Sequence, residues 1–301
     1  MSVLWSLAAL AVANPYQLDI GARGRVTVAP GQIVETASGR VVASSRIVQA
    51  ARRVPYLYLG ETHATAAHQN LMAELIREAA SQGRTLTVGL EMLTRPRQND
   101  LCALRAGEFD LNAAPSRLNW RSEWGFDWSF YRPILGAALA SGGALVALNV
   151  PRDWVRQVGR LGWKGVGPEL ATQFPRDPNL TSRDHRRMFE SMVGGHPTGG
   201  TASPNLDNMF QAQVLWDEGM AQTAVEWRKA RASRPSDLFV VIAGSGHVMY
   251  GLGIPARVRR QSGARGVTVV MLQSGTPLEV SKGIADFVFV APPVPGVRNR
   301  P

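Results

Sequence analysis

The sequence predicts an α/β fold: a mostly parallel central sheet flanked by helices, with a helical insertion over the carboxyl edge of the sheet. Three observations carry that prediction. Residues 56–59, 86–90, 144–150, 238–243 and 267–272 are strand-length runs, apolar at nearly every position; continuous apolar runs suit strands covered on both faces, the state of a parallel sheet. Helical stretches at 64–82, 129–141 and 208–232 alternate with them, the pattern of a layered α/β domain. A short motif, Gly-x-x-His, follows two of the strands.

Taken in order, residues 1–20 read as a signal-like leader. Residues 3–12 are apolar, and Ala11-Val12-Ala13 resembles a signal-peptidase site before Asn14-Pro15, although no positive charge precedes the run. This reading favours export, to the periplasm or cell surface, over the cytoplasm. Residues 24–42 read as a β-hairpin, with Val26, Val28 and Ile33 about Gly31 and a second turn at Ser38-Gly39. Ser44 or Ser45 caps a short helix through Arg53. After the third central run, residues 151–207 interrupt the alternation with glycines, prolines and a helical piece at 182–193, and read as the helical insertion; four glycines and two prolines in 194–204 suggest a flexible loop. Residues 285–290 add an edge strand, and 291–301 form a flexible tail. The expectation is one domain over 21–290.

Composition excludes several classes. At 45% hydrophobic and 19% charged residues, the chain has a core to bury and is not disordered. Its net charge of +10 is almost all arginine, with Lys164, Lys229 and Lys282 the only lysines. The basic residues are scattered and form no arm or basic helix, so nucleic acid is not an expected partner; arginine spread over a solvated surface is the simpler reading, and charge alone names no partner. Cys102 is the only cysteine, which rules out an intramolecular disulfide and a cysteine-built metal site. No apolar run has the length of a transmembrane helix.

The candidate chemistry lies at strand ends. Gly60-Glu61-Thr62-His63 follows one strand and Gly244-Ser245-Gly246-His247 another; Glu91 and Asn149 end two more. In an open α/β sheet, polar groups at the carboxyl ends of parallel strands converge where ligands bind, and Gly60, Gly244 and Gly246 permit tight turns and close approach there. His63, Glu91 and His247 suit either a divalent metal with an open position or a metal-free acid–base set in which Glu91 orients a histidine. A strand-end histidine also serves simply as a hydrogen-bonding turn residue. His68 falls about 140° from position 63 around a helix and reads as packing. Trp120, Trp124, Phe126, Trp128, Phe130 and Tyr131 read mainly as core, with Trp124 and Tyr131 the candidates to line a pocket. Arg121 and Arg132 are candidates to meet carboxylates of a ligand, and Gln211, Gln213 and Asp217 to face the site from the long helix.

The stretches YLYLGETHATAAHQNLMAELI and LTVGLEML, then EWGFDWSFYRPIL and ALVALNVPRDW, then FQAQVLWDEGMA and FVVIAGSGHVMYGLGIPARV, resemble, in order, the ChaN-like haem-binding uptake domain. The likeness spans about residues 45–275. It implies a superfamily that also holds Tiki metalloproteases and erythromycin-esterase-like enzymes. Haem binding in iron uptake is the first function it implies; a metal-dependent peptidase or esterase using His63, Glu91 and His247 is the second. In the ChaN branch a homodimer encloses stacked haems, with iron held by a tyrosine of the helical region. Residues 151–207 contain no tyrosine, a departure that leaves His185, His196 and Tyr250 as the iron-ligand candidates.

Overall fold

The computed structural model describes residues 13–194, 205–231 and 234–293. Ten strands occur among these residues: β1 Arg25–Val28, β2 Ile33–Glu35, β3 Arg40–Val42, β4 Tyr56–Glu61, β5 Thr85–Thr94, β6 Ala144–Asn149, β7 Asp237–Gly244, β8 Gly266–Gln273, β9 Leu278–Ser281 and β10 Phe287–Ala291. The helices are α1 Ser44–Ala51, α2 Ala66–Ser81, α3 Gln98–Ala106, the single-turn α4 Ala114–Arg117 and α5 Trp120–Glu123, α6 Trp128–Ala140, α7 Arg152–Leu161, the short α8 Pro168–Ala171, α9 Arg183–Val193, α10 Leu206–Ala230 and α11 Ile254–Ser262.

Eight strands form the central sheet in the order β3-β2-β10-β8-β4-β7-β5-β6, and β1 pairs with β9 in a separate ribbon. From β10 to β6 every neighbouring pair is parallel, while β2 joins both β10 and β3 antiparallel. The α/β architecture with a mainly parallel sheet is therefore as the apolar runs predict. Pleating sends alternate residues to opposite faces. Leu57, Leu59, Val88, Leu90, Val240 and Ile242 enter one core, which α1, α2, α3 and α6 cover. Tyr56, Tyr58, Phe239, Val241 and Ala243 enter the other, under α10 and α11. Helix starts are fixed by side-chain caps at Asp127 for α6, Ser182 for α9 and Asn205 for α10, each accepting a backbone N–H that the first turn leaves free.

The structure departs from the expectations at the amino-terminal part and at β10. Only the second half of the expected hairpin forms, β2 to β3 across Ser38-Gly39; β1 instead pairs with β9, some 250 residues on, in register Arg25 with Ser281. Strand β10 is interior, because β2 closes on its outer side, so β3 and β6 are the edges. Ser44 does not cap α1; the cap is Ala43, and the Ser44 hydroxyl donates to Glu74. Leu18 and Ile20, inside the stretch read as a leader, pack in the α10–α11 core. No helix among the described residues is long and apolar enough to cross a membrane.

At the amino ends of the parallel strands, Arg84 collects five carbonyls: Ser236, Ala51, Arg52, Val54 and Asp237, at 2.7–3.0 Å. The guanidinium fork satisfies the last carbonyls of α1 and joins them to the entries of β5 and β7, a geometry that an ammonium does not reproduce. Arg84→Met is expected to lower unfolding free energy by about 2–3 kcal/mol, read as a lower urea midpoint with unchanged slope.

Candidate functional site

The carboxyl edge holds two differently built histidine centres. The first begins at Glu61, the last residue of β4, which is 1% exposed. His63 Nδ1 lies 2.9 Å from Glu61 Oε1. The same carboxylate accepts from the Tyr131 hydroxyl at 2.8 Å and from Gln69 Nε2. Burial raises the Glu61 pKa against the opposing pull of His63 and Tyr131. Burial also disfavours the His63 cation, but the hydrogen bond to Glu61 and the charges of Glu91 and Glu61 outweigh it and raise the His63 pKa. The His63 side chain keeps 32% exposure. Its ring meets Trp124 edge-on at 4.7 Å and lies 5.5 Å from Phe126. Gly244 is what admits it: a Cβ there would stand 2.9 Å from His63 Cε1.

The second centre is buried. Glu91 Oε2 accepts from Gly244 N at 2.6 Å, and Oε1 lies 3.4 Å from His247 Nε2. His247 Nδ1 lies 2.7 Å from Asp217 Oδ1, with Gln213 Nε2 at 3.0 Å. Burial opposes the His247 cation, yet the flanking carboxylates of Glu91 and Asp217 push its pKa up to about 10. Burial likewise opposes the Glu91 anion, and the His247 charge and hydrogen bond hold its pKa down at about 2. Asp217 sits lower still, because Arg257 and His247 outweigh its burial. Beyond Asp217 the polar network continues: His185 Nε2 at 3.3 Å, Arg257 Nη1 at 3.8 Å, then Arg257 Nε to Glu218 at 3.2 Å and Glu218 to Arg260 at 2.6 Å. The His185 and Arg257 contacts to Asp217 lie within ion-pair distance but lack hydrogen-bond alignment.

Beside Glu91 and Trp124, toward α7, lies a cavity of about 330 Å³. Trp124, Trp216 and Val155 supply its apolar lining, and Glu91, Glu123, Asn149, Arg152 and Arg156 its polar lining. Asn149 Nδ2 donates to the Glu91 carbonyl at 2.9 Å, leaving a buried Oδ1 without a partner among the described residues. Arg152 donates to the Glu123 carbonyl, and Arg156 pairs with exposed Asp153.

The structure thus brings His63, Glu91, Asn149, His247, Glu61, Tyr131 and Trp124 together. Gly60 lets β4 approach the turn after β7, since a Cβ there would meet Val248 at 3.0 Å; at Gly246 it would meet Met192 of α9 at 2.6 Å. Other candidates fall elsewhere. His185 is buried between Asp217 and Arg257. The Tyr250 hydroxyl donates to Pro15 O and accepts from Leu18 N, away from the cavity. Arg132 is exposed and bonds Asn112. His196 lies outside the described residues. Gln211 accepts from Trp163 N in the insertion, and His68 is held by the Thr62 and Leu272 carbonyls.

The expected divalent-metal set of His63, Glu91 and His247 is not supported. Among the described residues no group of three or more His, Cys, Asp or Glu side chains is disposed to hold a metal ion. Both His247 nitrogens and both Glu91 oxygens are taken up by protein partners. Sequence reasoning missed Trp216, Arg152, Arg156 and Val155. The i, i+4 spacing of Arg152 and Arg156 on one helix face was the available signal.

In open α/β sheets small ligands bind at the carboxyl ends of the strands, and this cavity lies at that edge, lined by Glu91 and Asn149. The family model "Haem-binding uptake, Tiki superfamily, ChaN" matches residues 47–258, and the chain belongs to that family. Among solved structures it is similar to ChaN of Campylobacter jejuni, described as showing cofacial heme binding, with 19% identity, 85% of this chain and 95% of that chain covered, and a TM-score of 0.66. It also matches the type III effector HopBA1 at 12% identity, 83% and 93% coverage and TM-score 0.46. A third match is a mutant of the erythromycin esterase EreC in its open conformation, at 11% identity, 82% and 77% coverage and TM-score 0.46. No functionally curated protein matches the chain significantly.

The buried charges fix a pH dependence. Folding raises the His247 pKa from 6.5 to about 10, so its contribution is complete below pH 6.5 and is lost as pH climbs toward 10. Glu91, lowered from 4.5 to about 2, contributes fully above its unfolded value and loses that contribution on acidification toward pH 2. Thermal stability from this centre therefore peaks near pH 5–6.5. Asp217→Asn, which leaves the His247 and Arg257 cations undercompensated, is expected to cost about 3 kcal/mol at pH 6. The gap in Tm between wild type and variant narrows as pH is raised to 10.

Proposed function

We propose that this protein binds haem in the carboxyl-edge cavity and hands it on within iron or haem uptake. The observation that carries the reading is the lining: Trp124, Trp216 and Val155 supply an apolar surface, and Arg152 and Arg156 stand beside it, with Glu91, Glu123 and Asn149 completing the cavity. That is the chemistry of a planar porphyrin bearing two carboxylates. Trp124 and Trp216 would hold the macrocycle by stacking and edge contacts, and Arg152 and Arg156 would meet the propionates in charge-assisted hydrogen bonds. For the iron, His63 is the assignment: among the described residues its Nε2 has no hydrogen-bond partner, its Nδ1 is oriented by Glu61, and its ring touches Trp124. Bound haem would supply redox-active iron, and the residue holding it would tune its spectrum and redox behaviour. A carboxylate-backed histidine is the usual way to orient such a ligand.

A cavity of about 330 Å³ is smaller than a porphyrin, so the outer face of the haem needs cover. A second copy of the chain, cavity to cavity, would provide it, consistent with the cofacial arrangement described for the Campylobacter jejuni protein. The family resemblance and the uptake role also accord with an exported protein.

Hemin titration followed at the Soret band tests the reading. Wild type is expected to saturate at a defined stoichiometry, with a rise in apparent mass by gel filtration. Trp124→Ala and the double variant Arg152→Ala/Arg156→Ala should each weaken binding by about tenfold. His63→Ala should change the ligand-field bands more than the affinity. Weak, non-saturating association of wild type would sink the proposal.

A further inference from the structure

A second cavity, of about 440 Å³, opens on the α11 side at the amino ends of β8 and β10. It lies at the opposite end of these strands from the carboxyl edge that carries His63 and Glu91. Its lining includes Tyr58, Arg259, Arg265, Gly266, Lys282 and Asp286. Tyr58 is 1% exposed, and its hydroxyl has no hydrogen-bond partner among the described residues. Buried tyrosine hydroxyls normally find one. Gly266 packs closely on the ring: a Cβ there would stand 2.6 Å from Tyr58 Cε2.

The cations here are uncommitted. Neither the Arg259 nor the Arg265 guanidinium has an ion-pair or hydrogen-bond partner among the described residues, and Lys282 Nζ reaches only the Ala37 carbonyl, at 3.4 Å. The one carboxylate, Asp286, is occupied: its Oδ2 accepts from both the amide and the hydroxyl of Thr268 at 2.8 Å. Three cations against one carboxylate leave two positive charges around a polar cavity whose buried wall holds an unused donor. Burial keeps the Tyr58 phenol protonated and hence a donor.

The geometry points to an anion-binding pocket for a small phosphorylated molecule, its phosphate held by Arg259, Arg265 and Lys282 with the Tyr58 hydroxyl donating to a ligand oxygen. A phosphate monoester carries a charge of about −1.5 to −2 at pH 7, which matches the surplus, and arginine forks suit its oxygens. The volume exceeds what free phosphate needs and leaves room for the organic group of an ester. This pocket shares no lining residue with the carboxyl-edge cavity and does not depend on the haem reading.

Calorimetric titration of the full chain at constant ionic strength tests the assignment, using inorganic phosphate, glucose 6-phosphate and succinate as probes. Saturable binding of glucose 6-phosphate, about tenfold tighter than inorganic phosphate, is expected. Arg259 is exposed and Lys282 half-buried, so Arg259→Ala/Lys282→Ala should fold normally and lose about tenfold or more in affinity. Tyr58→Phe should leave the ligand-free Tm unchanged or higher, because it deletes an unpaired hydroxyl, while weakening binding several-fold. His63→Ala should leave binding intact. The assignment is overturned by no saturable heat with either phosphate probe up to about 10 mM, or by an affinity that the Arg259/Lys282 double variant does not change. Equal binding of succinate would overturn the phosphate class, and equal affinity for free phosphate would overturn the ester.

Discussion

The carboxyl edge depends on one buried cation, the imidazolium of His247 held between Glu91 and Asp217. Glu91 belongs to β5, His247 follows β7, and Asp217 belongs to α10, so this single charge ties a helix to two neighbouring strands. Arg257 and Glu218 extend the alternation of sign to α11 and on to Arg260 at the surface. Each member, taken alone, would be expensive to bury; the chain of opposite charges is what makes burial tolerable. Such a network adds little net stability over an apolar core. It does fix position, because an apolar α10 could slide along the sheet, whereas the charges have one register that pairs them all. Trp216, next to Asp217, is thereby set in the wall of the cavity.

The two Gly-x-x-His turns show how far environment overrides motif. Both follow a parallel strand of the same sheet, and β4 and β7 pair directly. His247 ends up 7% exposed with both nitrogens on carboxylates; it is a fixed positive charge. His63 has a single carboxylate partner through Nδ1 and a half-buried ring against Trp124 and Phe126. Only the latter retains a nitrogen to offer a ligand. The difference comes from α10, which supplies Asp217 over the second turn and reaches no such residue over the first. A metal shared between the two histidines would have to pull His247 out of two ion contacts.

The strands of the parallel sheet were legible because burial on both faces writes itself as continuous apolar sequence, and the turns because glycine and histidine punctuate their ends. Strand pairing was less legible. The partner of β1 is β9, and β10 is made interior by β2; both pairings join segments about 250 residues apart, for which local alternation carries no signal. The site was half legible. Residues at strand ends, His63, Glu91 and Asn149, could be placed by topology alone. Trp216, Arg152 and Arg156 could not, since their relevance depends on how α7 and α10 lie against that edge. Tyr58 looked like core from its run of apolar neighbours, and only the structure shows its hydroxyl unpaired.

Arginine usage brings these points together. A surplus of positive charge spread along a sequence looks like a solvated surface, yet in the fold it separates into kinds. Arg84 and Arg257 are structural, the first gathering carbonyls from two strand entries and a helix end, the second buried between acids. Arg152 and Arg156 stand beside one cavity, Arg259 and Arg265 beside another. Lysine would serve poorly in the first kind, where several acceptors must be met by one rigid planar group. In the second kind the same fork is suited to carboxylate or phosphate oxygens arriving from outside. Geometry at both sorts of site thus favours arginine over lysine.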